Sequence, residues 1–237
     1  MTRFAGRRAL VTGAASGIGA ATVALLRSEG ADVVGVDLRP AGDVRVGDVT
    51  DPASVSTFVA DAAASLGGLD LLVNVAGIVH FSRIEDLTLE DWERHLAVNL
   101  TGPFLVSQAA VSHLIASRGC IVTVASVAGL KGQAYTSAYS ASKGGTVLFT
   151  KSLALELADR GVRVNCVCPG GVDTPLIGPA AASIPADADP KLMDRLQSVI
   201  PDFIRPDEVA EAIAYLASDA ARMITGTALV IDGGTLS

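Results

Sequence analysis

The stretch ALVTGAASGIGAATVALLRSEGADVVGVD, residues 9–37, decides the fold predicted for this chain. An apolar run ends at Thr12, glycines follow at positions 13, 17 and 19, and an amphipathic pattern reaches about Glu29 before a second apolar run. This order is typical of a strand, a tight turn, a helix and a second strand. Glycines allow close backbone approach, and the free N–H groups of a helix N-terminus bind pyrophosphate. We predict a dinucleotide-binding βαβ unit with cofactor contacts from Gly13, Ser16, Gly17, Ile18 and Gly19.

The glycine spacing is G-x-x-x-G-x-G, which differs from the usual dinucleotide fingerprint G-x-G-x-x-G. The alternative is a turn with a purely structural role. The position of the glycines between a strand and a helix, in the first βαβ unit of the chain, favours cofactor binding.

Seven short runs rich in Val, Ile and Leu recur along the chain, and longer helical patterns separate most of them. They are mostly apolar throughout rather than alternating, as expected for strands covered on both faces. Helix starts are indicated at Pro52, after Thr88 and at Pro206. We predict one Rossmann-type α/β domain over residues 1–237, a doubly wound parallel sheet of about seven strands flanked by helices. The runs are RALVTG, ADVVGVD, DVRVGD, LDLLVNVAG, GCIVTVAS, VRVNCVCPG and ALVIDGG.

One crossover departs from this pattern. Only residues 37–42 separate the second apolar run from the third, too few for a crossover helix. Six extended residues reach at most about 20 Å, which is one strand length. We expect a bare loop and a missing helix there.

Composition excludes several classes of protein. The chain has 237 residues, a net charge of −7 and 50% apolar residues, so it can build a large core and is a poor partner for nucleic acid or an anionic membrane. Its apolar runs are too short to span a bilayer, and its first residues lack a signal-peptide pattern. Three cysteines and three scattered histidines predict buried thiols, a cytoplasmic location and no metal site.

Asp37 ends the second strand, where its carboxylate can accept hydrogen bonds from the adenosine ribose. The same charge repels the 2′-phosphate of NADP, so we predict NAD as the cofactor. Arg39 lies two residues further on and offers the alternative, since a guanidinium there could bind that phosphate.

A tyrosine and a lysine lie one helical turn apart in AYSASKGG, residues 138–145. Free tyrosine has a pKa near 10 and is a poor base at neutral pH. A positive charge four residues away, on the same helical face, lowers the phenol pKa. Tyr139 and Lys143 therefore suit proton transfer, and the adjacent Gly144 and Gly145 indicate close packing against another helix or a cofactor.

Several spaced motifs together resemble the short-chain dehydrogenase/reductase family, in its shorter branch of about 250 residues, over essentially the whole chain. The motifs are Thr12-Gly13-x-x-x-Gly17-x-Gly19, Asn74-Val75-Ala76-Gly77, Asn99, Ser126, Tyr139-x-x-x-Lys143 and Pro169-Gly170-x-Val172-x-Thr174.

The resemblance implies a catalytic set. Tyr139 is the expected general acid/base, and Ser126 the donor that stabilises the substrate oxygen. Lys143 is expected to bind the nicotinamide ribose and lower the tyrosine pKa, and Asn99 to hold a water that links Lys143 to solvent. Further cofactor contacts are implied for Asp48, Val49, Asn74, Ala76, Gly77, Pro169, Gly170, Val172 and Thr174.

The expected activity is hydride transfer between NAD(H) and a secondary alcohol or its ketone, a small-molecule substrate. A 3-oxoacyl-thioester reductase that uses NADPH is the main alternative, although Ala15 and Ser16 stand where such reductases often carry arginine. A nucleotide-binding sensor without turnover is the remaining alternative. Val75 replaces the family's frequent second asparagine.

Residues 174–205 are rich in proline and hold an amphipathic piece from about Lys191 to Ile200. We predict a substrate lid, because long loops in compact domains often cover active sites. The helix after Lys143 is apolar on more than one face, and the resemblance implies a homotetramer built on it. Candidate lid residues facing the substrate are Leu176, Ile177, Met193, Leu196 and Ile200.

Overall fold

A seven-stranded parallel sheet organises the computed structural model, which describes residues 2–237. The strand order is β3-β2-β1-β4-β5-β6-β7, so the chain starts in the middle of the sheet and winds outward in both directions. This order defines the predicted doubly wound fold. The strands are β1 (Arg8–Thr12), β2 (Asp32–Asp37), β3 (Arg45–Val46), β4 (Leu71–Asn74), β5 (Cys120–Val124), β6 (Arg163–Pro169) and β7 (Ala228–Ile231).

Helices cover both faces of the sheet. They are α1 (Gly17–Ser28), α2 (Pro52–Leu66), α3 (Leu89–Leu96), α4 (Gly102–Ser117), α5 (Ser137–Leu157), α6 (Ile177–Ala182), α7 (Pro190–Asp194) and α8 (Pro206–Ala217). Successive residues of β1 belong to opposite cores: Val11 packs in the cluster that includes α1 and α8, and Leu10 in the one that includes α2 and α4. The apolar runs of the sequence follow from this double coverage.

The expected missing helix is confirmed between β2 and β3, where residues 38–44 form turns and no helix. The third strand is shorter than its sequence run, because only Arg45 and Val46 pair with β2. The chain then turns away at Gly47, where an added Cβ would lie 2.6 Å from the Phe58 ring of α2.

Helix starts follow the sequence signals. The Asp51 carboxylate accepts hydrogen bonds from the N–H groups of Ala53 and Ser54 at the start of α2. The Thr88 hydroxyl accepts from the N–H of Asp91, 3.0 Å away, at the start of α3. The predicted helix over 191–200 is shorter than expected, since α7 ends at Asp194.

The outer face of α5 confirms the prediction that this helix is apolar on more than one side. Val147, Ala154 and Leu157 are buried, whereas Leu148 and Leu155 remain 67% and 83% exposed. Within residues 2–237, α5 and the other helices do not combine the length and apolar character needed to cross a bilayer. All three cysteines are buried free thiols, as predicted.

Candidate active site

The carboxyl ends of five neighbouring strands bring the predicted residues to one edge of the sheet. The glycine-rich turn follows β1, Asp37 ends β2, Asn74 ends β4, and Pro169 ends β6. Ser126 follows β5 by two residues. Ligands of doubly wound folds bind at this edge, where the chain reverses its winding direction between β1 and β4.

The glycine-rich turn is built so closely that side chains do not fit. Gly13 has a φ of +66°, and a Cβ there would lie 2.7 Å from the nitrogen of Ala76. A Cβ at Gly19 would lie 1.9 Å from the carbonyl oxygen of Gly13. The Thr12 hydroxyl accepts from the N–H groups of Val75 and Ala76, which ties the turn to the segment after β4.

Asp37 lies against the same turn. Its carboxylate accepts one hydrogen bond from the N–H of Ala15 and one from the N–H of Arg39, each at 3.1 Å. The Arg39 side chain is exposed and makes no ion pair within residues 2–237. Ser16 precedes α1 in an extended conformation. Its side chain accepts no hydrogen bond from the first N–H groups of α1.

The side chains expected around the adenine and the nicotinamide have different surroundings in the structure. The Asp48 carboxylate accepts from the N–H and hydroxyl of Thr50, and Val49 packs against Gly102. Asn74 donates to Ser107 at 3.3 Å, while its side-chain oxygen is buried without a partner in the described chain. An unpartnered acceptor of this kind and a glycine cradle fit a bound dinucleotide.

Ser126 and Tyr139 meet at the end of β5. The Ser126 side chain is 7% exposed, and its oxygen accepts from the N–H of Ala128 at 3.1 Å. The Ser126 hydroxyl and the Tyr139 phenol line the same cavity. Gly129 lets this loop approach α5, since a Cβ there would lie 2.6 Å from the carbonyl of Lys143.

The ammonium of Lys143 lies 5.9 Å from the centre of the Tyr139 ring and donates to the carbonyl of Val124 at 2.8 Å. Burial lowers the pKa of Lys143 to about 8, because the charged form loses hydration. Burial also raises the pKa of Tyr139, and the neighbouring Ser126 hydroxyl opposes this rise. The lowered phenol pKa expected from the sequence is therefore not found in this structure, because the loss of hydration on burial dominates.

Asn99 lies in a π-helical turn, residues 97–101, between α3 and α4. Its side-chain oxygen accepts from the N–H of Ile78 and its amide donates to the Ile78 carbonyl and to Ser142. The Thr146 hydroxyl donates to the Asn99 carbonyl. π-Helical turns occur frequently at functional sites. Here the turn fixes Asn99 close to Lys143, since a Cβ added at Gly77 would lie 3.2 Å from the Asn99 Oδ1 and 3.4 Å from the Lys143 Nζ.

The paired glycines after Lys143 serve helix packing. A Cβ at Gly145 would lie 2.8 Å from the Leu100 side chain in the π-helical turn, and Gly144 faces the carbonyl of Gly129. The sequence left two explanations for Gly144 and Gly145, packing against another helix or against a cofactor. The contact of Gly145 with Leu100 is packing against another helical segment.

A cavity of about 360 Å³ opens beside Ser126 and Tyr139. This volume is within the range of small-molecule sites. Among the predicted residues it is lined by Ile18, Gly77, Ser126, Tyr139, Lys143, Pro169, Gly170, Val172 and Thr174. The other predicted cofactor residues and Asn99 lie outside this lining. Gly13, Ser16, Gly17, Gly19 and Asp37 instead belong to the turn after β1 or to its border.

The segment predicted as a lid lines the cavity. Leu176, Ile177, Met193 and Leu196 contribute to its wall, as expected. Ile200 does not: its N–H donates to the carbonyl of Gly233, and its side chain is 63% exposed. The early end of α7 explains this error, because the helical face expected to extend to Ile200 is not formed.

The sequence prediction also missed wall residues from distant parts of the chain. Gln133 had a readable signal, a polar residue in the loop between Ser126 and Tyr139. Ile184 and Phe203 lie within the predicted lid but were not singled out, because apolar residues in loops do not indicate which cavity they face. Phe81 and Thr235 carried no signal. The missed residues include Phe81, Gln133, Ile184, Phe203 and Thr235.

The fold and this cavity together define an oxidoreductase that binds a nicotinamide dinucleotide. The profile of a protein family described as enoyl-(acyl carrier protein) reductase matches residues 13–235. The chain belongs to the short-chain dehydrogenase/reductase family. Two of its relatives are named as dehydrogenases of small molecules.

Three relatives cover nearly the whole chain. Cis-4-hydroxycyclohexanecarboxylate dehydrogenase of Sinomonas cyclohexanicum is 45% identical, covering 98% of this chain and 97% of its own. D-threitol dehydrogenase of Mycolicibacterium smegmatis is 42% identical, with 98% and 94% covered. The 3-oxoacyl-[acyl-carrier-protein] reductase of Thermotoga maritima is 38% identical, with 98% of each chain covered.

Two solved structures show the fold with different cofactors. A 3-ketoacyl-(acyl-carrier-protein) reductase from Brucella melitensis complexed with NADH has a TM-score of 0.87 at 32% identity, covering 98% of this chain and 99% of its own. A short-chain dehydrogenase from Burkholderia cenocepacia in complex with NADP has the same TM-score at 36% identity, covering 99% and 100%. These neighbours support a nicotinamide cofactor and leave its type to the residues of this chain.

Proposed function

We propose that this protein is an NAD-dependent dehydrogenase of secondary alcohols, with Tyr139 as its general acid/base. One observation carries the proposal: Ser126, Tyr139 and Lys143 line a single cavity, at the strand edge that carries the glycine-rich turn. When bound, the nicotinamide supplies the hydride acceptor for alcohol oxidation or the hydride donor for ketone reduction.

Each residue of the catalytic set has a defined task. Tyr139 takes the hydroxyl proton as the carbonyl forms, and returns it in the reverse direction. Ser126 donates to the substrate oxygen and orients it. Lys143 supplies positive charge beside the phenol and hydrogen bonds to the nicotinamide ribose. Asn99 positions a water that connects Lys143 with solvent; its own contacts to Ile78 and Ser142 keep the π-helical turn in place.

Asp37 supports NAD over NADP. Its carboxylate is fixed by two backbone N–H groups beside the glycine-rich turn, so it can accept from a ribose diol but repels a 2′-phosphate. Asn74, Ala76, Gly77, Pro169, Gly170, Val172 and Thr174 complete the cofactor site, with Asp48 and Val49 beside the adenine.

The cavity wall supports a compact, largely apolar alcohol. Phe81, Leu176, Leu196 and Phe203 line it. The relative from Sinomonas is named for a hydroxycyclohexanecarboxylate, whose carbocyclic frame would suit such a wall, although its carboxylate would not. A carbocyclic secondary alcohol therefore fits better than an acyl thioester on a carrier protein. Ala15 and Ser16 also leave the glycine-rich turn without the arginine of many NADPH-dependent reductases.

The assembly and location follow from exposed and buried groups. The exposed Leu148 and Leu155 on α5 support a homotetramer in which this face is covered. Three buried free thiols support a reducing, cytoplasmic setting. Light scattering at micromolar concentration tests the assembly, and a monomer would contradict it.

Fluorescence titration of the purified protein with NADH and NADPH tests the proposed cofactor, and initial rates with cyclohexanol test the reaction. Tyr139→Phe is the matched variant, since it removes one hydroxyl from a residue that lines the cavity. We expect tighter NADH binding, turnover with NAD⁺, and loss of turnover with retained NADH binding in the variant. Tighter NADPH binding together with activity only on acyl thioesters would establish the reductase alternative.

A further inference from the structure

We propose that the substrate is neutral, with an apolar carbon frame, the reacting hydroxyl or ketone, and a second uncharged hydrogen-bonding group that Gln133 recognises. The inference rests on the proposed alcohol dehydrogenase function. It adds to that function the charge of the substrate and a residue that selects it.

The cavity offers no partner for an anionic substrate. Lys143 is the one charged side chain among its lining residues within the described chain. Its ammonium already donates to the Val124 carbonyl at 2.8 Å and lies against the Tyr139 ring. A carboxylate that enters such a cavity loses hydration without gaining an ion pair, which is strongly unfavourable.

The lid also gives an anion little to bind. Residues 174–205 hold four aspartates against three lysines and arginines, and all four aspartates are exposed. One of the three cations, Arg205, is bound to Asp207 at 3.1 Å. The nearby Arg83 is bound to Asp187 at 2.9 Å and packs on the Tyr135 ring. Arg83 and Arg205 are therefore already bound to carboxylates, and residues 174–205 carry a net charge of −1, so the lid offers little attraction to an anion.

Gln133 supplies the polar contact that an apolar wall lacks. It lies in the loop that leads to α5, lines the cavity and is only partly exposed. The Thr136 hydroxyl donates to its main-chain carbonyl at 3.0 Å, which fixes the loop conformation. Its side-chain amide makes no hydrogen bond to any residue of the range 2–237.

A half-buried amide that lacks a protein partner gains from a polar group on the ligand. Because an amide is both donor and acceptor but carries no charge, it matches a hydroxyl or a carbonyl rather than a carboxylate. The other amide in the lining, Gln197, is more exposed to solvent than Gln133. The structure thus favours Gln133 as the selecting residue.

Three alcohols separate the effect of a charge on the substrate from the effect of a second hydroxyl. They are cyclohexanol, cyclohexane-1,4-diol and 4-hydroxycyclohexanecarboxylate, each assayed with NAD⁺ and with NADP⁺. We expect the diol to have a kcat/KM at least about a hundredfold above that of the carboxylate, because the unpaired charge is buried. We also expect the diol to exceed cyclohexanol.

Two variants assign the effect to one residue. Gln133→Leu should lower the diol-to-cyclohexanol ratio of kcat/KM about three- to tenfold, which is the effect of one neutral hydrogen bond. Gln197→Leu is the matched control, and its ratio should change less. Gln133→Lys should raise the carboxylate-to-diol ratio, a gain that a folding defect cannot produce. NADH titration of each variant confirms that the cofactor site is formed.

The outcomes separate the two proposals. A parent enzyme that turns over the carboxylate as well as the diol overturns the neutral-substrate inference and leaves the alcohol dehydrogenase function intact. A ratio that falls in Gln197→Leu and not in Gln133→Leu overturns the assignment of Gln133. No turnover of any of the three alcohols with either cofactor overturns the proposed function, and the inference falls with it.

Discussion

Replacement of Gly19 by alanine tests whether the glycine-rich turn is a cofactor cradle with no spare room. Gly19 is buried in the first turn of α1, and its φ is outside the left-handed range, so strain in the backbone dihedral does not enter. The effect of the new methyl group is therefore purely steric. A Cβ there would lie 1.9 Å from the Gly13 carbonyl oxygen and 2.6 Å from its carbon.

The size of the effect follows from these distances. A close C···O contact measures about 3.3 Å, so the two backbone segments must separate by roughly 1.4 Å. Overpacking of a tight interior costs about 1–3 kcal/mol, and we expect the upper end because both groups are backbone. An unfolding entropy of about 2.1 cal/mol/K per residue over 237 residues converts 3 kcal/mol into a fall in Tm of about 6 °C.

Cofactor binding should suffer more than stability. A displacement beyond 1 Å moves the N–H groups that face the pyrophosphate, and we expect kcat/KM to fall at least about a hundredfold. Gly178→Ala is the control, because a Cβ at Gly178 meets no atom within 4 Å. NADH titration and thermal unfolding measure both effects. If the Kd of Gly19→Ala for NADH were within threefold of the parent value, the proposal that this turn is a tight cofactor cradle would be wrong.

Three further substitutions test the charges of the molecule. Asp37→Asn keeps the size of the side chain and removes the charge, so the preference for NADH over NADPH in fluorescence titration should fall at least about tenfold; an unchanged preference would contradict the role of Asp37. Lys143→Met removes positive charge beside the phenol, so the alcohol-oxidation pH profile should shift to higher pH; an unshifted profile would argue against the pair. Arg8 lowers the pKa of Asp70 in the folded protein, chiefly through their hydrogen bond. The ionised carboxylate therefore stabilises the fold at pH values above about 4, the pKa of Asp70 in the unfolded chain. This stabilisation is lost as the pH falls through the lower pKa of the folded protein. Asp70→Asn should therefore cost about 1–2 kcal/mol at pH 7 and less at pH 3 by denaturant unfolding, and an equal cost at both pH values would contradict the pair.

The strand and helix order could be predicted from local pattern because each signal lies within a few residues. The double coverage of the sheet makes β1, β4 and β5 continuous apolar runs, and Pro52, Thr88 and Pro206 mark helix starts through their own backbone chemistry. The short second crossover was predictable for the same reason, since eight residues or fewer cannot hold a crossover helix.

The shared position of Ser126, Tyr139 and Lys143, the proposed catalytic residues, was also predictable, because their relation is local or belongs to a spaced motif. Tyr139 and Lys143 share one helical face by their spacing alone. The end of α7 was not predictable, since the amphipathic pattern continues to Ile200 while the chain turns at Asp194. Ile200 was therefore placed wrongly in the cavity wall.

The sequence by itself determined the doubly wound sheet, the glycine-rich turn and the tyrosine–lysine pair, since these depend on periodicity, turn chemistry and helical spacing. Only the tertiary structure decided which residues share the cavity. Gln133, Ile184, Phe203 and Thr235 come from separate loops, and no local pattern records that packing brings them together. The tertiary structure also decided the environment of Tyr139 and Lys143, because the burial of a side chain depends on everything that surrounds it. Burial raises the pKa of Tyr139 and lowers that of Lys143, so it favours the neutral form of both groups.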